Sequence, residues 1–238
     1  MGVEKPIKVA IVIPAYNEGS VIGSVVESLD KVFSKSEYSY QIIVVDDGST
    51  DSTAQNARNS GAKVISHIIN SGAGSATATG LSYAQQNNFD VATTSDADGQ
   101  HDPKDVLRGV EALLASDVDL LIGSRLINST GMTKVKILGN KGLSLITRVL
   151  FGINVTDSQS GLRIFSTNAL KKLKWRTSGY EFCSEMLWRA NQQGLNISEY
   201  PIKAIYTDYS VAKGQNNWNA VNIITSLVKR RLLELFNE

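Results

Sequence analysis

The stretch Val91-Ala92-Thr93-Thr94-Ser95-Asp96-Ala97-Asp98 decides the fold prediction, because it runs from a short strand pattern directly into two carboxylates. An i, i+2 spacing in extended backbone points Asp96 and Asp98 the same way, where their charges repel. Mg²⁺ prefers such oxygen ligands and bridges to a substrate's phosphates. Open α/β sheets bind ligands beyond the carboxyl ends of their strands. The stretch therefore predicts a metal and phosphate site at the end of a buried strand.

Two other interpretations compete for this acidic segment. A calcium-binding EF-hand loop that starts at Asp96 needs Gly at position 6 and Glu at position 12, but His101 and Leu107 stand there. The segment could also be a solvated acidic turn before a helix, since Asp102-Pro103 has the sequence of an N-cap followed by Pro at the first helical position. That interpretation explains Asp102 and leaves Asp96 and Asp98 unexplained.

The composition is that of an ordinary globular protein, with 238 residues, 42% hydrophobic and 20% charged. A net charge of +1 gives no overall attraction to nucleic acid, so we expect no nucleic-acid partner. The single cysteine, Cys183, excludes an internal disulfide and is compatible with a reducing cytoplasm. No secretory signal pattern follows Met1 and no run of 18 apolar residues occurs, so we expect no membrane-spanning segment.

Short apolar runs alternate with helical patterns along the chain. Strands are predicted over 9–13, 42–45, 64–65, 91–95, 120–122 and 197–205, and helices over 20–33, 51–60, 73–87, 103–115, 138–151, 181–193 and 218–236. This alternation predicts an α/β fold with a mostly parallel central sheet and helices on both faces. Residues 157–164 are predicted to form an irregular turn, and Pro201 indicates that the last strand is an edge strand.

Three further polar segments fall where such a sheet places ligands, namely Pro14–Glu18, Asp46–Asp51 and Gly72–Ser75. Asp46 could accept hydrogen bonds from a base or ribose, and Tyr16 could stack on a base. Helix capping explains Asp47–Asp51 equally well, and a tight turn explains the glycines. A dinucleotide fingerprint is excluded because Thr77 occupies the third glycine position, and a P-loop is excluded because no Gly-Lys-Ser/Thr occurs.

Taken together, these motifs resemble a known enzyme family. IVIPAYNE (Ile11–Glu18), VDDGSTD (Val45–Asp51) and DADGQH (Asp96–His101) are similar to the successive motifs of family 2 glycosyltransferases. DSQSGLR (Asp157–Arg163) and YSVAKGQ (Tyr209–Gln215) resemble the dolichol-phosphate (polyprenyl-phosphate) glycosyltransferases within that family. The resemblance extends over nearly the whole chain.

The resemblance implies a GT-A type nucleotide-sugar-binding fold and a metal-dependent, inverting transfer of one sugar to dolichyl or another polyprenyl phosphate. It implies one domain over 1–238, with a nucleotide-sugar-binding half (1–125), an acceptor-binding half (126–217) and an amphipathic helix (218–238). The implied donor-binding residues are Pro14, Tyr16, Glu18, Asp46 and Asp96, and the implied ligands of Mg²⁺ or Mn²⁺ are Asp96, Asp98 and Gln100.

A phosphate acceptor needs no general base, because a phosphate monoester has its second pKa near about 6 and is largely a dianion at neutral pH. The protein then mainly has to hold an anion, which predicts nearby cations. The candidates are Arg125, which follows the strand 120–122, and Lys141, Arg148, Arg163 and Lys213, which the resemblance brings near the acceptor. Asp98, Arg125 and Asp157 are the catalytic candidates, with Asp157 positioning a substrate or acting as a base. Solvated surface cations, and a turn or cap role for Asp157, are the alternatives.

Two amphipathic segments predict contact with a membrane surface. The helix over 218–236 carries an apolar face with Lys229-Arg230-Arg231 on its polar side, and 138–151 is a second candidate. Packing on the core or on another subunit is the alternative, which leaves a homo-oligomer open. We expect a peripheral protein on the cytoplasmic face of a membrane.

The donor and the exact function leave alternatives open. Mannose-transferring members often carry Met-Ser-Gly-Phe where this chain has Gln159-Ser160-Gly161-Leu162, which favours UDP-glucose or UDP-N-acetylglucosamine over GDP-mannose. A family 2 transferase with a saccharide or protein hydroxyl acceptor would need a clear catalytic base. A non-catalytic nucleotide-sugar-binding subunit of a membrane glycosylation complex would have no reason to keep the Asp96/Asp98 pair.

Overall fold

The computed structural model describes residues 5–129 and 132–205. In chain order the elements are β1 (Lys8–Ala15), α1 (Ile22–Phe33), β2 (Ser39–Asp46), α2 (Thr53–Asn59), β3 (Lys63–Ser66), α3 (Ala73–Gln86), β4 (Val91–Thr94), α4 (Pro103–Leu114), β5 (Leu120–Ser124), α5 (Lys134–Phe151), β6 (Arg163–Ser166), α6 (Thr167–Lys172), α7 (Phe182–Gln192) and β7 (Ile197–Pro201). The motif Tyr209–Gln215, including Lys213, and the predicted helix over 218–236 lie outside the described residues.

The strands form one seven-stranded sheet in the order β3-β2-β1-β4-β6-β5-β7. Strand β6 runs antiparallel to both of its neighbours, and the other neighbouring pairs are parallel. The register sets Ala15 of β1 opposite Asp46 of β2, and Val12 opposite Thr94 of β4. The strand order reverses at β1, which opens a ligand-binding crevice beyond the carboxyl ends of β1, β2 and β4.

The sheet is covered on both faces, as predicted. Side chains alternate along β1, so that Val9, Ile11 and Ile13 join a core with α1, α2 and α4, whereas Ala10 and Val12 join a core with α3, α6 and α7. Two-sided burial explains why β1, β2 and β5 contain nearly continuous apolar runs. The mostly parallel α/β sheet with helices on each face is therefore confirmed.

The second half departs from the prediction in one important place. Part of the predicted irregular turn is strand β6, which lies between β4 and β5, and helix α6 follows it directly. Strand β6 has only four residues and includes the charged Arg163, so it carries no strand periodicity. Strand β7 does lie at the sheet edge, as predicted, and ends at Pro201.

Helix α5 begins at Lys134, earlier than expected, because the Thr133 side chain caps it by accepting from the backbone N–H of Lys136. In the described ranges 5–129 and 132–205, the helices are all too short or too polar to cross a bilayer.

Candidate active site

The loops after β1 and β2 are joined by side-chain hydrogen bonds to backbone N–H groups. The N–H of Asn17 donates to Ser49 Oγ at 2.9 Å, and the N–H of Glu18 donates to Thr53 Oγ1 at 2.8 Å. The N–H of Gly19 donates to Asp51 Oδ2 at 2.9 Å. Ser49 and Asp51 thus stabilise the crevice wall, in line with the structural interpretation of these residues.

The residues predicted to bind the donor lie around this crevice, at the ends of β1, β2 and β4. Pro14 is partly buried near the end of β1, whereas Glu18 and Asp46 are buried. Asp46 Oδ1 accepts a hydrogen bond from the N–H of Ser49 at 3.1 Å. Tyr16 is 42% exposed and is therefore accessible to a ligand. The structure brings these residues together, and their contact with a nucleotide stays a prediction.

Gln100 holds both carboxylate oxygens of Asp98. The backbone N–H of Gln100 donates to Oδ1 at 3.0 Å, and its side-chain Nε2 donates to Oδ2 at 2.6 Å. Burial, and then the nearby charge of Asp96, raise the pKa of Asp98, with a smaller contribution from Glu18. The ionised carboxylate is therefore destabilised where it stands, and a bound cation would relieve that cost.

The buried side chain of His101 holds the backbone of Asp96. The ring is buried, and its Nδ1 accepts a hydrogen bond from the backbone N–H of Asp96 at 3.1 Å. A neutral ring that accepts at Nδ1 carries its proton on Nε2, which lies 3.5 Å from Asp96 Oδ2. Among the described residues, Nε2 has no hydrogen-bond partner. This positioning role was not predicted from the sequence, where its only signal is that His101 closes the DADGQH motif.

The loop over 157–162 meets the acidic segment at Gly161. Thr94 Oγ1 donates to the carbonyl oxygen of Gly161 at 2.7 Å. A Cβ at Gly161 would overlap Asp96 Oδ1 and would lie 2.7 Å from Asp96 Cγ. Only a residue without a side chain lets the loop approach the Asp96 carboxylate this closely. Segments more than 60 positions apart in sequence thus form one wall of the site.

Arg125 and Asp157 form a bidentate ion pair at the end of β5. Arg125 Nε donates to Asp157 Oδ2 at 2.8 Å, and Nη2 donates to Oδ1 at 3.0 Å. The Asp157 side chain is fully buried, whereas that of Arg125 is 17% exposed. Glu199 of β7 accepts from the backbone N–H groups of Thr156 and Asp157 at 2.7 and 3.1 Å. Both carboxylate oxygens of Asp157 accept from Arg125, so this arrangement favours a role in positioning Arg125 over a role as a catalytic base.

Comparison with known proteins decides the family. The family model described as Glycosyl transferase family 2 matches residues 10–174, which extend from within β1 to beyond α6. The chain belongs to glycosyl transferase family 2.

Two curated relatives match this transferase over most of its length. It is 40% identical over 230 residues to an uncharacterized protein of Methanocaldococcus jannaschii. The alignment covers 94% of this chain and 93% of that protein. It is 43% identical over 229 residues to the UDP-N-acetylglucosamine–dolichyl-phosphate N-acetylglucosaminyltransferase of Methanococcus voltae, with 87% of this chain and 89% of that one covered.

A solved structure confirms the GT-A type fold. The glucosyl-3-phosphoglycerate synthase of Mycobacterium tuberculosis, in complex with Mn²⁺, UDP-glucose and phosphoglyceric acid, superposes with a TM-score of 0.71. The alignment covers 96% of this transferase and 79% of that chain at 24% sequence identity. The likeness establishes the architecture of this family 2 transferase.

The predicted role of Arg163 in acceptor binding is wrong. The residue is 1% exposed, and its guanidinium donates to the carbonyl oxygens of Ser160, Cys183 and Ser158 at 3.0, 3.1 and 2.8 Å. Because the Arg163 guanidinium is buried and hydrogen-bonded to interior carbonyl oxygens, it is not available to an acceptor phosphate. Arg163 instead supports the 158–161 loop from inside the protein.

Two further predicted cations are on helix α5, and a third lies outside the described residues. Lys141 and Arg148 are exposed on α5, and Lys213 is outside the described residues. Arg125 is therefore the predicted cation that the structure sets beside the 157–162 loop, through its ion pair with Asp157.

The oxygen donors of the acidic segment fit the class of cation that was predicted. Asp96, Asp98 and Gln100 supply carboxylate and amide oxygens, which suit Mg²⁺ and Mn²⁺. Within the part of the chain that the structure describes, no three acidic, histidine or cysteine side chains form a ready-made cage. Mg²⁺ usually binds one or two carboxylates and completes its shell with water and substrate phosphates, so a partial protein shell fits this group.

Proposed function

We propose that this chain is an inverting transferase that moves one sugar from a nucleotide-sugar donor to dolichyl or another polyprenyl phosphate. The observation that carries the proposal is the contact between the acidic segment and the 157–162 loop at Gly161. That contact joins the predicted donor side to the Arg125–Asp157 pair on the predicted acceptor side. The name of the Methanococcus voltae relative, a transferase that acts on dolichyl phosphate, supports the same acceptor class.

On the donor side, Asp96, Asp98 and Gln100 would hold Mg²⁺ or Mn²⁺. When bound, the cation neutralises the charge that develops on a nucleoside diphosphate leaving group. His101 holds the backbone of Asp96, and Gln100 holds the carboxylate of Asp98. Tyr16 and Asp46 would contact the nucleoside, with Pro14 and Glu18 completing the crevice wall.

On the acceptor side, Arg125 would bind and orient the phosphate group. Asp157 holds the guanidinium through two hydrogen bonds, so little reorganisation is needed when an anion arrives. A phosphate dianion attacks without a general base, which agrees with the ion-paired state of Asp157. Lys141 and Arg148 would attract the acceptor from exposed positions on α5, and Lys213, outside the described residues, stays a proposed ligand of the acceptor phosphate.

We further propose UDP-N-acetylglucosamine as the donor, with UDP-glucose next and GDP-mannose less favoured. The donor in the name of the Methanococcus voltae relative and the Gln159-Ser160-Gly161-Leu162 sequence both support a UDP-sugar. Because the acceptor would be a lipid, the protein would act peripherally at the cytoplasmic face of a membrane.

A transfer assay tests the proposal. Purified protein and Mn²⁺ would be mixed with dolichyl phosphate in detergent and with each radiolabelled donor in turn, and the organic phase would be counted. We expect label from UDP-N-acetylglucosamine, lost on addition of EDTA and absent for Asp98→Asn. Donor binding by calorimetry without any label in the organic phase would instead point to a hydroxyl acceptor or to a non-catalytic subunit.

A further inference from the structure

The outer face of helix α5 is unusually apolar for a surface helix. Its buried face contains Ser144 and Thr147 together with Phe151. Ser144 Oγ accepts from the backbone N–H of Ser158 at 3.0 Å, and Thr147 Oγ1 lies 3.0 Å from Ser184 Oγ. Its outer face carries large apolar side chains, exposed by 77%, 75%, 59% and 75% at Val135, Leu138, Leu145 and Val149 respectively. An outer face in contact with water alone would carry polar side chains instead.

The four exposed apolar side chains lie along one side of the helix, and we name them the α5 stripe (Val135, Leu138, Leu145 and Val149). Their separations of three, seven and four residues bring them to the same side of the helix, within an arc of about 80° at 3.6 residues per turn. Contiguous exposed apolar surface of this kind marks an interaction site.

The charge beside the stripe indicates what it contacts. Helix α5 has four cationic residues and no acidic residue. Lys134, Lys141 and Arg148 recur every seven residues along one flank of the α5 stripe, and all three are exposed. An apolar face with cations along its border is the pattern of a helix that lies in the headgroup region of an anionic bilayer. A second copy of the helix would bring like charges together, which disfavours a dimer through this face.

We propose that the α5 stripe is the surface on which this protein docks to an anionic lipid bilayer. The aliphatic side chains would enter the boundary between headgroups and acyl chains, and the flanking cations would contact lipid phosphates. This inference rests on the proposed function only for the reason why the enzyme visits a membrane.

The position of α5 would link a membrane-bound surface to the candidate active site. The buried face of α5 is hydrogen-bonded to the 157–162 loop through Ser144 and Ser158, and that loop meets Asp96 at Gly161. A bilayer bound to the outer face of the helix is thus coupled, through one helix and one loop, to the acidic segment. A lipid-borne phosphate would reach the site without leaving its membrane.

A fluorescent reporter on the stripe tests the proposal directly. The native Cys183 is 5% exposed and burial raises the pKa of its thiol, so a thiol dye would label an introduced cysteine selectively. Leu145→Cys would carry an environment-sensitive dye on the stripe. Leu114→Cys, at the end of α4 and 37% exposed, is the matched control. Vesicles would contain phosphatidylcholine with or without phosphatidylglycerol.

With anionic vesicles we expect a blue shift at position 145, quenching by lipids with spin labels in their acyl chains, and neither effect at position 114. The double variant Leu138→Gln/Val149→Gln should lower vesicle partitioning by about tenfold or more, because two aliphatic side chains leave the interface. Thermal melts of each variant would check folding.

Three results would overturn the proposal. The dye at position 145 could stay in water while the protein sediments with vesicles, or the protein could bind no vesicles. A blue shift that grows with protein concentration without vesicles would assign the stripe to a contact between two copies. Because the assay needs no donor and no turnover, its failure is separate from failure of the transfer assay in detergent.

Discussion

Replacing Gly161 with alanine would test how the two halves of the site depend on each other. The backbone of Gly161 is outside the left-handed region, so alanine meets no penalty for a positive φ there. The added Cβ would overlap Asp96 Oδ1 and lie 2.7 Å and 2.8 Å from Asp96 Cγ and Oδ2, below the 3.0 Å that real Cβ contacts respect. One of the two partners must move.

The Asp96 side chain is the partner that moves. It is 42% exposed, whereas the Gly161 carbonyl is held by Thr94. Relief of the overlap requires a carboxylate displacement of about 1 Å, and a misplacement of that size in a catalytic site can cost about 10²-fold in rate, or about 2.7 kcal/mol of barrier. Rotation toward solvent should cost less than about 1 kcal/mol of folding free energy.

Turnover and the Mn²⁺ dependence of Gly161→Ala would be measured together with its melting temperature. We expect kcat/KM to fall about 100-fold, the Mn²⁺ concentration for half activity to rise, and the melting temperature to change little. Gly139→Ala is the control, since nothing lies within 4 Å of a Cβ there. That substitution should stabilise α5 by about 0.5–1 kcal/mol without lowering turnover in detergent. Wild-type activity and Mn²⁺ dependence in Gly161→Ala would refute the role assigned to Asp96.

Three further substitutions probe the charges of the site. Burial and Asp96 raise the pKa of Asp98, so its charge destabilises the metal-free folded protein above that pKa. Asp98→Asn should therefore have a higher melting temperature than wild type at pH 7, although it loses turnover. The difference in melting temperature should decrease as the pH falls toward the raised pKa of Asp98. A lower melting temperature at pH 7 would contradict this. His101→Phe should weaken Mn²⁺ binding by about 10-fold in calorimetry with UDP present, because residues behind metal ligands typically contribute that much. Unchanged affinity would leave His101 with a packing role only. Arg125→Met leaves the buried Asp157 carboxylate without its cationic partner. It should lower the free energy of unfolding in urea by about 3–5 kcal/mol. The double variant with Asp157→Leu should regain most of that loss, and an equally unstable double variant would mean that the ion pair is not its source.

Local patterns were sufficient for the first half of the chain. Strands β1 and β2 are buried on both faces over most of their length, so each contains an apolar run that ends at a polar loop, and the short β4 is buried throughout. Such runs are visible without any tertiary contact. The acidic segment after β4 was found in the same way, since ligands collect at the carboxyl ends of parallel strands.

The interior of the second half could not be predicted in this way. Strand β6 pairs with β4 across more than 60 positions, and the charge of Arg163 concealed the strand. The Arg163 side chain turns inward because three backbone carbonyls are available there, which no local pattern records. Glu199 entered no prediction, although it supports the loop of Asp157 from the edge strand.

The sequence by itself determined the parallel α/β frame, the acidic segment and the family resemblance, because each depends on neighbouring residues and on their spacing. The tertiary structure alone decided which charges face the site and which are buried. Arg125 and Arg163 have the same side chain, yet one is paired beside the crevice and the other is enclosed in the core. The physical reason is that the direction and solvation of a long charged side chain depend on its partners in space, and those partners come from distant parts of the chain.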